Sequence, residues 1–136
     1  MILFNTKINP LPGSKYSEVY PRAYLIYGQI ASLTKRHPYV RSAYFGGQKV
    51  FLEYFWSDLW MKNWRDRVRR LKYYPCAIDL LKYSRINPNI IENPNKQSEI
   101  FYRFIGMTRN GQKFAVQVKE NRKKLRKYFM SVFPID

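Results

Sequence analysis

The chain holds a single cysteine, Cys76, a single histidine, His37, and only nine acidic residues among 136. A lone cysteine excludes a disulfide framework. Set among apolar neighbours, it reads as an inert buried thiol, and nothing calls for an oxidising compartment. One histidine, one cysteine and scattered carboxylates give no ligand spacing of the zinc or EF-hand kinds, nor an acidic cluster that would hold magnesium in a two-metal nuclease. No metal or other cofactor is therefore expected. The phosphate-cradling GxxxxGK(S/T), the GxGxxG of dinucleotide-binding folds and the GxSxG nucleophile elbow are all missing. Apolar runs are short and broken by charge, which leaves neither a secretory signal nor a membrane span. A soluble, cytoplasmic protein is expected. His37 ends a helical stretch, where histidine is structural more often than catalytic.

What is abundant is positive charge and aromatic area. Lys and Arg number 25, the formal charge is +16, and aromatics make up 18% of the chain. The excess is spread: residues 1–50 carry seven basic residues against one acidic, residues 51–97 nine against five, and residues 98–136 nine against three. No core asks for such an excess. It implies a polyanionic partner, nucleic acid before an acidic protein or an anionic membrane surface.

The length suits one domain with a sizeable core. Residues 1–17 contain Asn9-Pro10-Leu11-Pro12-Gly13-Ser14 and read as an irregular arm; residues 18–136 form the domain. From Glu18, or from Pro21 at a first helical position, a helix runs to Arg36 and is expected to bury Leu25, Ile26, Ile30 and Leu33. Residues 39–52 read as a small hairpin around Gly46-Gly47. Residues 57–72 read as one amphipathic helix, capped by Ser57 or Asp58, with Trp56, Trp60 and Trp64 on its buried side and Lys62, Arg65, Asp66, Arg69, Arg70 and Lys72 on the other. Pro75 opens a shorter helix offering Ala77, Leu80 and Leu81 for burial. Residues 85–98, with Asn87-Pro88 and Asn93-Pro94, read as a long loop.

The organising stretch is Glu99 to Ile135, which reads as three consecutive antiparallel strands. Taking Asn110-Gly111 as a two-residue type I′ turn pairs Met107 with Phe114, Ile105 with Val116 and Arg103 with Val118. Alternation then collects Tyr102, Phe104 and Gly106 with Lys113, Ala115, Gln117 and Lys119 on a basic, aromatic face, to which Ser131 of the third strand is assigned. Ile105, Phe114, Val116 and Met130 would pack on the 57–72 helix, and a basic linker, Glu120 to Lys124, joins the last two strands. The expected fold is α+β, with N-terminal helices packed on a C-terminal antiparallel β-meander.

Residues 50–134, in particular Tyr102-Arg-Phe-Ile-Gly-Met-Thr-Arg-Asn-Gly-Gln-Lys-Phe-Ala-Val-Gln-Val-Lys-Glu120, Lys127-Tyr-Phe-Met-Ser-Val-Phe-Pro134 and the Trp- and Arg-rich Phe55 to Leu71, resemble the phage-associated nuclease domains grouped with barnase, EndoU, the tRNA-cleaving colicins and RelE. The resemblance implies a barnase- or RelE-like endoribonuclease, a toxin or phage-linked effector that cleaves tRNA or mRNA without a metal. The RNA 2′-hydroxyl would attack the adjacent phosphate. It also implies an acidic antitoxin or immunity protein as a partner. Where such domains often carry a histidine, this chain has Tyr102. The expected catalytic set is Tyr102, Arg103, Lys119 and Ser131, although the two-residue turn puts Arg103 on the opposite face, where Glu99 or Glu120 could pair it. Lys113, Gln117, Arg122, Lys124 and Lys127 are the expected substrate contacts. The alternative is a module of the same fold that binds RNA or DNA, or docks a partner, without catalysis.

Overall fold

A computed structural model of the chain describes residues 2 to 135. Met1, at the head of the expected arm, and Asp136, at the end of the expected domain, lie outside them. The chain runs β1 (Phe4–Asn5), α1 (Tyr16–Leu33), β2 (Tyr39–Ser42), β3 (Gln48–Phe51), α2 (Glu53–Leu59), α3 (Trp64–Lys72), α4 (Tyr74–Tyr83), β4 (Asn89–Glu92), β5 (Glu99–Met107), β6 (Lys113–Asn121) and β7 (Arg126–Pro134).

The expected fold, helices first and a meander after them, is corrected. The meander β5-β6-β7 forms, but as the middle of one curled, mixed seven-stranded sheet ordered β1-β5-β6-β7-β3-β2, with β4 also on β5. β1 joins β5 in parallel at Gly106 and Met107, and β3 joins β7 in parallel at Lys127 and Tyr128. All four helices lie between strands of that sheet in chain order. Two of the added strands carry little sequence signal. β1 is a two-residue strand in the proline-containing arm, and every residue of β4 is exposed, so no alternation marks it. The arm is also tied down by Thr6, whose hydroxyl donates to Asp79 Oδ2 at 2.6 Å.

The helices depart from expectation in their packing faces. α1 starts at Tyr16, ahead of Pro21, with the Lys15 backbone N–H donating to the Glu18 carboxylate at 3.2 Å. It buries Val19 and Ala23 while Leu33 is 87% exposed and Leu25 is exposed too. Its contact stripe is largely tyrosine: Tyr20, Tyr24 and Tyr27 meet the Trp56 ring at 6.0, 5.4 and 5.3 Å. The single helix expected over 57–72 is two helices, because Asn63 is extended and its side chain caps α3 by accepting from the Asp66 N–H at 2.9 Å. The break turns Trp60 and Trp64 outward, 49% and 58% exposed, and only Trp56 joins the core. α4 buries Ala77, Leu80 and Leu81 as expected, along with Cys76, whose thiol burial pushes up to about 12. The hairpin β2–β3 also forms, with Gly46 and Gly47 both at positive φ. Among the described residues no helix is long and apolar enough to cross a membrane.

The register of the meander differs by one residue. Met107 pairs with Lys113, Gly106 with Phe114, Phe104 with Val116 and Tyr102 with Val118. The cause is the turn: Thr108 pairs with Gln112 through a 2.8 Å backbone hydrogen bond, leaving three residues, Arg109 to Gly111, in the loop. Gly111 sits at φ 87° while Asn110 is not at positive φ. A type I′ turn would need both, whereas a type I turn closed by a left-handed glycine needs only the second. Because side chains alternate, a one-residue slip exchanges the two faces of β5 relative to β6. Phe104, Phe114, Val116, Val118, Phe129 and Val132 therefore form the buried side. There the Phe55 ring of α2 stacks on Phe129 at 4.8 Å and 3°. A bulge between Gln117 and Val118 leaves Met130 unpaired in β7, which lets Phe129 face the core while Ser131 and Phe133 face the other way.

Candidate nucleic-acid interface

The face of the sheet opposite the core is built in rows across β5, β6 and β7. Phe101, Lys119 and Tyr128 form one row, Arg103, Gln117 and Ser131 the next, and Ile105, Ala115 and Phe133 a third, with Met107 and Lys113 beyond. Helices α2 and α3 both pack against β7, and each sends a side chain onto this face. Arg70 of α3 donates to the Ser131 hydroxyl at 2.6 Å, and Tyr54 of α2 lies 4.6 Å below the Lys119 ammonium and beside Tyr128.

The cations here are held in place. Arg70 and Arg103 both lie over the Phe133 ring, at 5.4 and 5.7 Å, each a cation–π contact. Arg70 is oriented from behind by Asp66, Nε to Oδ2 at 3.1 Å. Burial alone would raise Asp66, but hydrogen bonds from Arg69 and Arg70 outweigh it and hold the carboxyl below its ordinary range. Arg103 makes no ion pair among the described residues, and its Nε is buried without a hydrogen-bond partner. A buried donor of this kind asks for an acceptor. Lys119 is 3.4 Å from Glu99, whose carboxyl is also held low: burial opposes ionisation, but the charge and hydrogen bond of Lys119 prevail, with Lys96 and Asn93 assisting.

Of the residues expected from sequence to form the site, Arg103, Lys113, Gln117, Lys119 and Ser131 share this face. Tyr102 does not. It points to the core side and donates to Glu120 Oε1 at 2.5 Å, and burial followed by that hydrogen bond pushes its phenol pKa well up. Lys127 is on the core side too, buried between Gln48 at 2.6 Å and Glu120 at 3.8 Å, over the Phe45 ring. Arg122 and Lys124 belong to the β6–β7 turn at the end of the sheet, where Arg122 pairs with Glu92 at 3.2 Å. The expected pairing of Arg103 with Glu99 or Glu120 does not form, since the register puts Arg103 opposite Gln117.

Tyr54 and Tyr128 also belong to the face and are not marked in the sequence, while Arg70 reads there only as one of the charged residues of the 57–72 helix and Glu99 only as a partner for Arg103. Their strands or helices meet only through tertiary packing, and no local pattern marks them. His37 is a second case. Its Nδ1 lies 2.9 Å from Glu53 Oε1, in a cavity of about 270 Å³ that Tyr54, Ser57, Arg126 and Tyr128 also line. Tyr54 and Tyr128 are shared with the cationic face, so the imidazole adjoins it. The residue before it, Arg36, is held at φ 63°.

Chemically, the face can bind anions and stack rings. It presents guanidinium, ammonium, hydroxyl and amide donors, but both nearby carboxylates are already paired with cations. Among the described residues no group of three His, Cys, Asp or Glu side chains is placed to hold a metal ion. Comparison with family models, curated proteins and solved structures returns no match to this chain, so the assignment rests on the residues and geometry above.

Proposed function

We propose that this chain binds single-stranded RNA along the face of β5, β6 and β7. The observation that carries this is the convergence of Arg70 and Arg103 on Phe133, beside the row that Arg103 forms with Gln117 and Ser131. Guanidinium groups meet phosphate oxygens in fork geometry, and Phe101 and Tyr128 offer rings on which unpaired bases can stack. The charge of +16 supports a polyanion, and the aromatic rows favour a single strand over a duplex. Titrating a labelled ten-nucleotide RNA at several salt concentrations tests it. Affinity should fall steeply with salt, by a log–log slope of about 0.7 for each phosphate engaged, and Arg103→Ala should remove about one such unit. A flat salt dependence, or an Arg103→Ala protein that binds as well as the parent, defeats the reading. An acidic protein inhibitor, if the chain has one, would compete for the same face.

A second reading, cleavage of that RNA without a metal, is favoured by the His37–Glu53 pair, whose cavity shares Tyr54 with the Lys119 ammonium that lies over its ring. His37 Nε2 would take the 2′-hydroxyl proton while O2′ attacks phosphorus. The P–O5′ bond breaks, O5′ leaves with a proton from water, and a 2′,3′-cyclic phosphate remains. Tyr102 has no part in this chemistry. Incubation with tRNA and mRNA, with and without EDTA, is the test. EDTA-resistant cleavage that His37→Ala abolishes is expected, and intact RNA at high protein concentration rejects it.

A further inference from the structure

A second cleft lies away from the row of Arg103. It is a space of about 540 Å³ between α3, the N-terminal arm and the β5–β6 turn. Arg65, Arg69 and Lys72 line it from α3, spaced four and three residues apart so that they share one helix stripe. Among the described residues no carboxylate lines it. Arg69 is steadied by Asp66, at 3.3 Å through Nε and 2.9 Å through Nη2, while Arg65 and Lys72 make no ion pair among the described residues. The walls are fixed by backbone hydrogen bonds: Leu11 N–H to the Lys72 carbonyl at 2.8 Å, and Arg109 N–H to the Ile8 carbonyl at 3.2 Å. Gln112, on the turn side, accepts from the Tyr73 hydroxyl at 2.9 Å, which leaves its amide N–H groups to donate. A volume of this size falls within the range of small-ligand pockets, and its chemistry suits phosphate.

We infer that this cleft is a second phosphate-binding site, holding the backbone of an RNA strand that continues off the sheet face. The inference rests on the RNA-binding reading. Its support is continuity: an adjoining space of about 400 Å³ shares Tyr73, Gln112 and Pro134 with the cleft and is also lined by Met107 and Lys113, which belong to the sheet face. Cations thus follow one another from Arg65 and Lys72 through Lys113 to Arg70 and Arg103. The α3 helix supplies two of the stations, with Arg70 on the face and the 65/69/72 stripe in the cleft.

The test compares a labelled trinucleotide with a ten-nucleotide RNA, on the intact chain and on Arg65→Ala/Lys72→Ala. Both substitutions are on the helix surface, and circular dichroism checks that the fold is kept. The double variant should bind the ten-nucleotide RNA about tenfold more weakly, with a salt slope smaller by about 1.4, two units of 0.7. Its affinity for the trinucleotide should not change. A control of equal charge, Lys35→Ala/Lys82→Ala, should lose much less. Unchanged binding of the longer RNA overturns the cleft, as does an equal loss in the control, which would be an effect of net charge alone. Saturable binding of inorganic phosphate or a mononucleotide, lost in the cleft variant while RNA binding is kept, assigns the cleft to a free ligand and overturns the backbone path. If Arg103→Ala weakens both RNAs while the cleft variant weakens neither, only this inference fails; if neither RNA binds the intact chain, both readings fail.

Discussion

Tyr102 and Arg103 are neighbours in sequence and serve opposite faces of β5. The Tyr102 hydroxyl donates to Glu120, which also faces Lys127, so its task is to hold the core-side end of the sheet together. Tyr102→Phe should lower stability by about 1.5 kcal/mol, the scale of a hydrogen bond to a charged acceptor, and leave RNA affinity unchanged. Urea denaturation and RNA titration of one preparation separate the two effects. Gly106 is a second case where one atom decides. A Cβ there would lie 2.5 Å from Phe114 Cζ, 2.8 Å from its Cε1 and 3.0 Å from Leu80 Cδ1. Gly106→Ala should cost about 2 kcal/mol through overpacking of β5 against β6 and α4, measured as a lowered urea midpoint.

At the scale of elements, the break between α2 and α3 places more of the surface than any other local feature. Residues 57–72 have helical periodicity throughout, yet Asn63 leaves the helical region and caps a new helix. That redirects α3 along β7, brings Arg70 to Ser131 and leaves the 65/69/72 stripe facing the turn. Asn63→Ala should destabilise by about 1 kcal/mol, as loss of an N-cap does. A loss of RNA affinity larger than any loss of stability explains would show that the cap also positions Arg70. The three-residue turn at Arg109 to Gly111 acts similarly on the sheet, since its length sets the register in which Arg103, and not Tyr102, joins Gln117 and Ser131.

For the whole molecule, the nine acidic side chains are set against 25 cations, and the paired ones hold cations of the face in place. Asp66 links Arg69 and Arg70 behind the face, and Glu99 links Lys96 and Lys119 at its end. Both carboxyls ionise at lower pH in the folded chain than in the unfolded one. Their contribution to stability is therefore complete above their ordinary values, 3.8 for Asp66 and 4.5 for Glu99, and is lost as pH falls through the lower folded values. The urea midpoint should drop below about pH 4, and Asp66→Asn/Glu99→Gln should flatten that drop. If the double variant keeps the full acid dependence, other groups carry it.

The charge, the three long strands of the meander, α4 and the β2–β3 hairpin were all legible in the chain alone, because these follow from composition and from local periodicity. The sequence also placed Lys113, Gln117, Lys119 and Ser131 on one face, since alternation within β6 and the parity of Ser131 survive the bulge. Everything set by contact between distant segments came from the folded chain. The two parallel pairings, the strand made from the exposed 89–92 segment and the tyrosine stripe of α1 have partners far away in the chain. The exchange of Tyr102 for Arg103 has the same origin. Both turns are compatible with Asn-Gly, and the burial of Phe104 with Phe114, Val116 and Phe129 beneath Phe55 goes with the one that leaves Arg103 beside Phe133 on the opposite side.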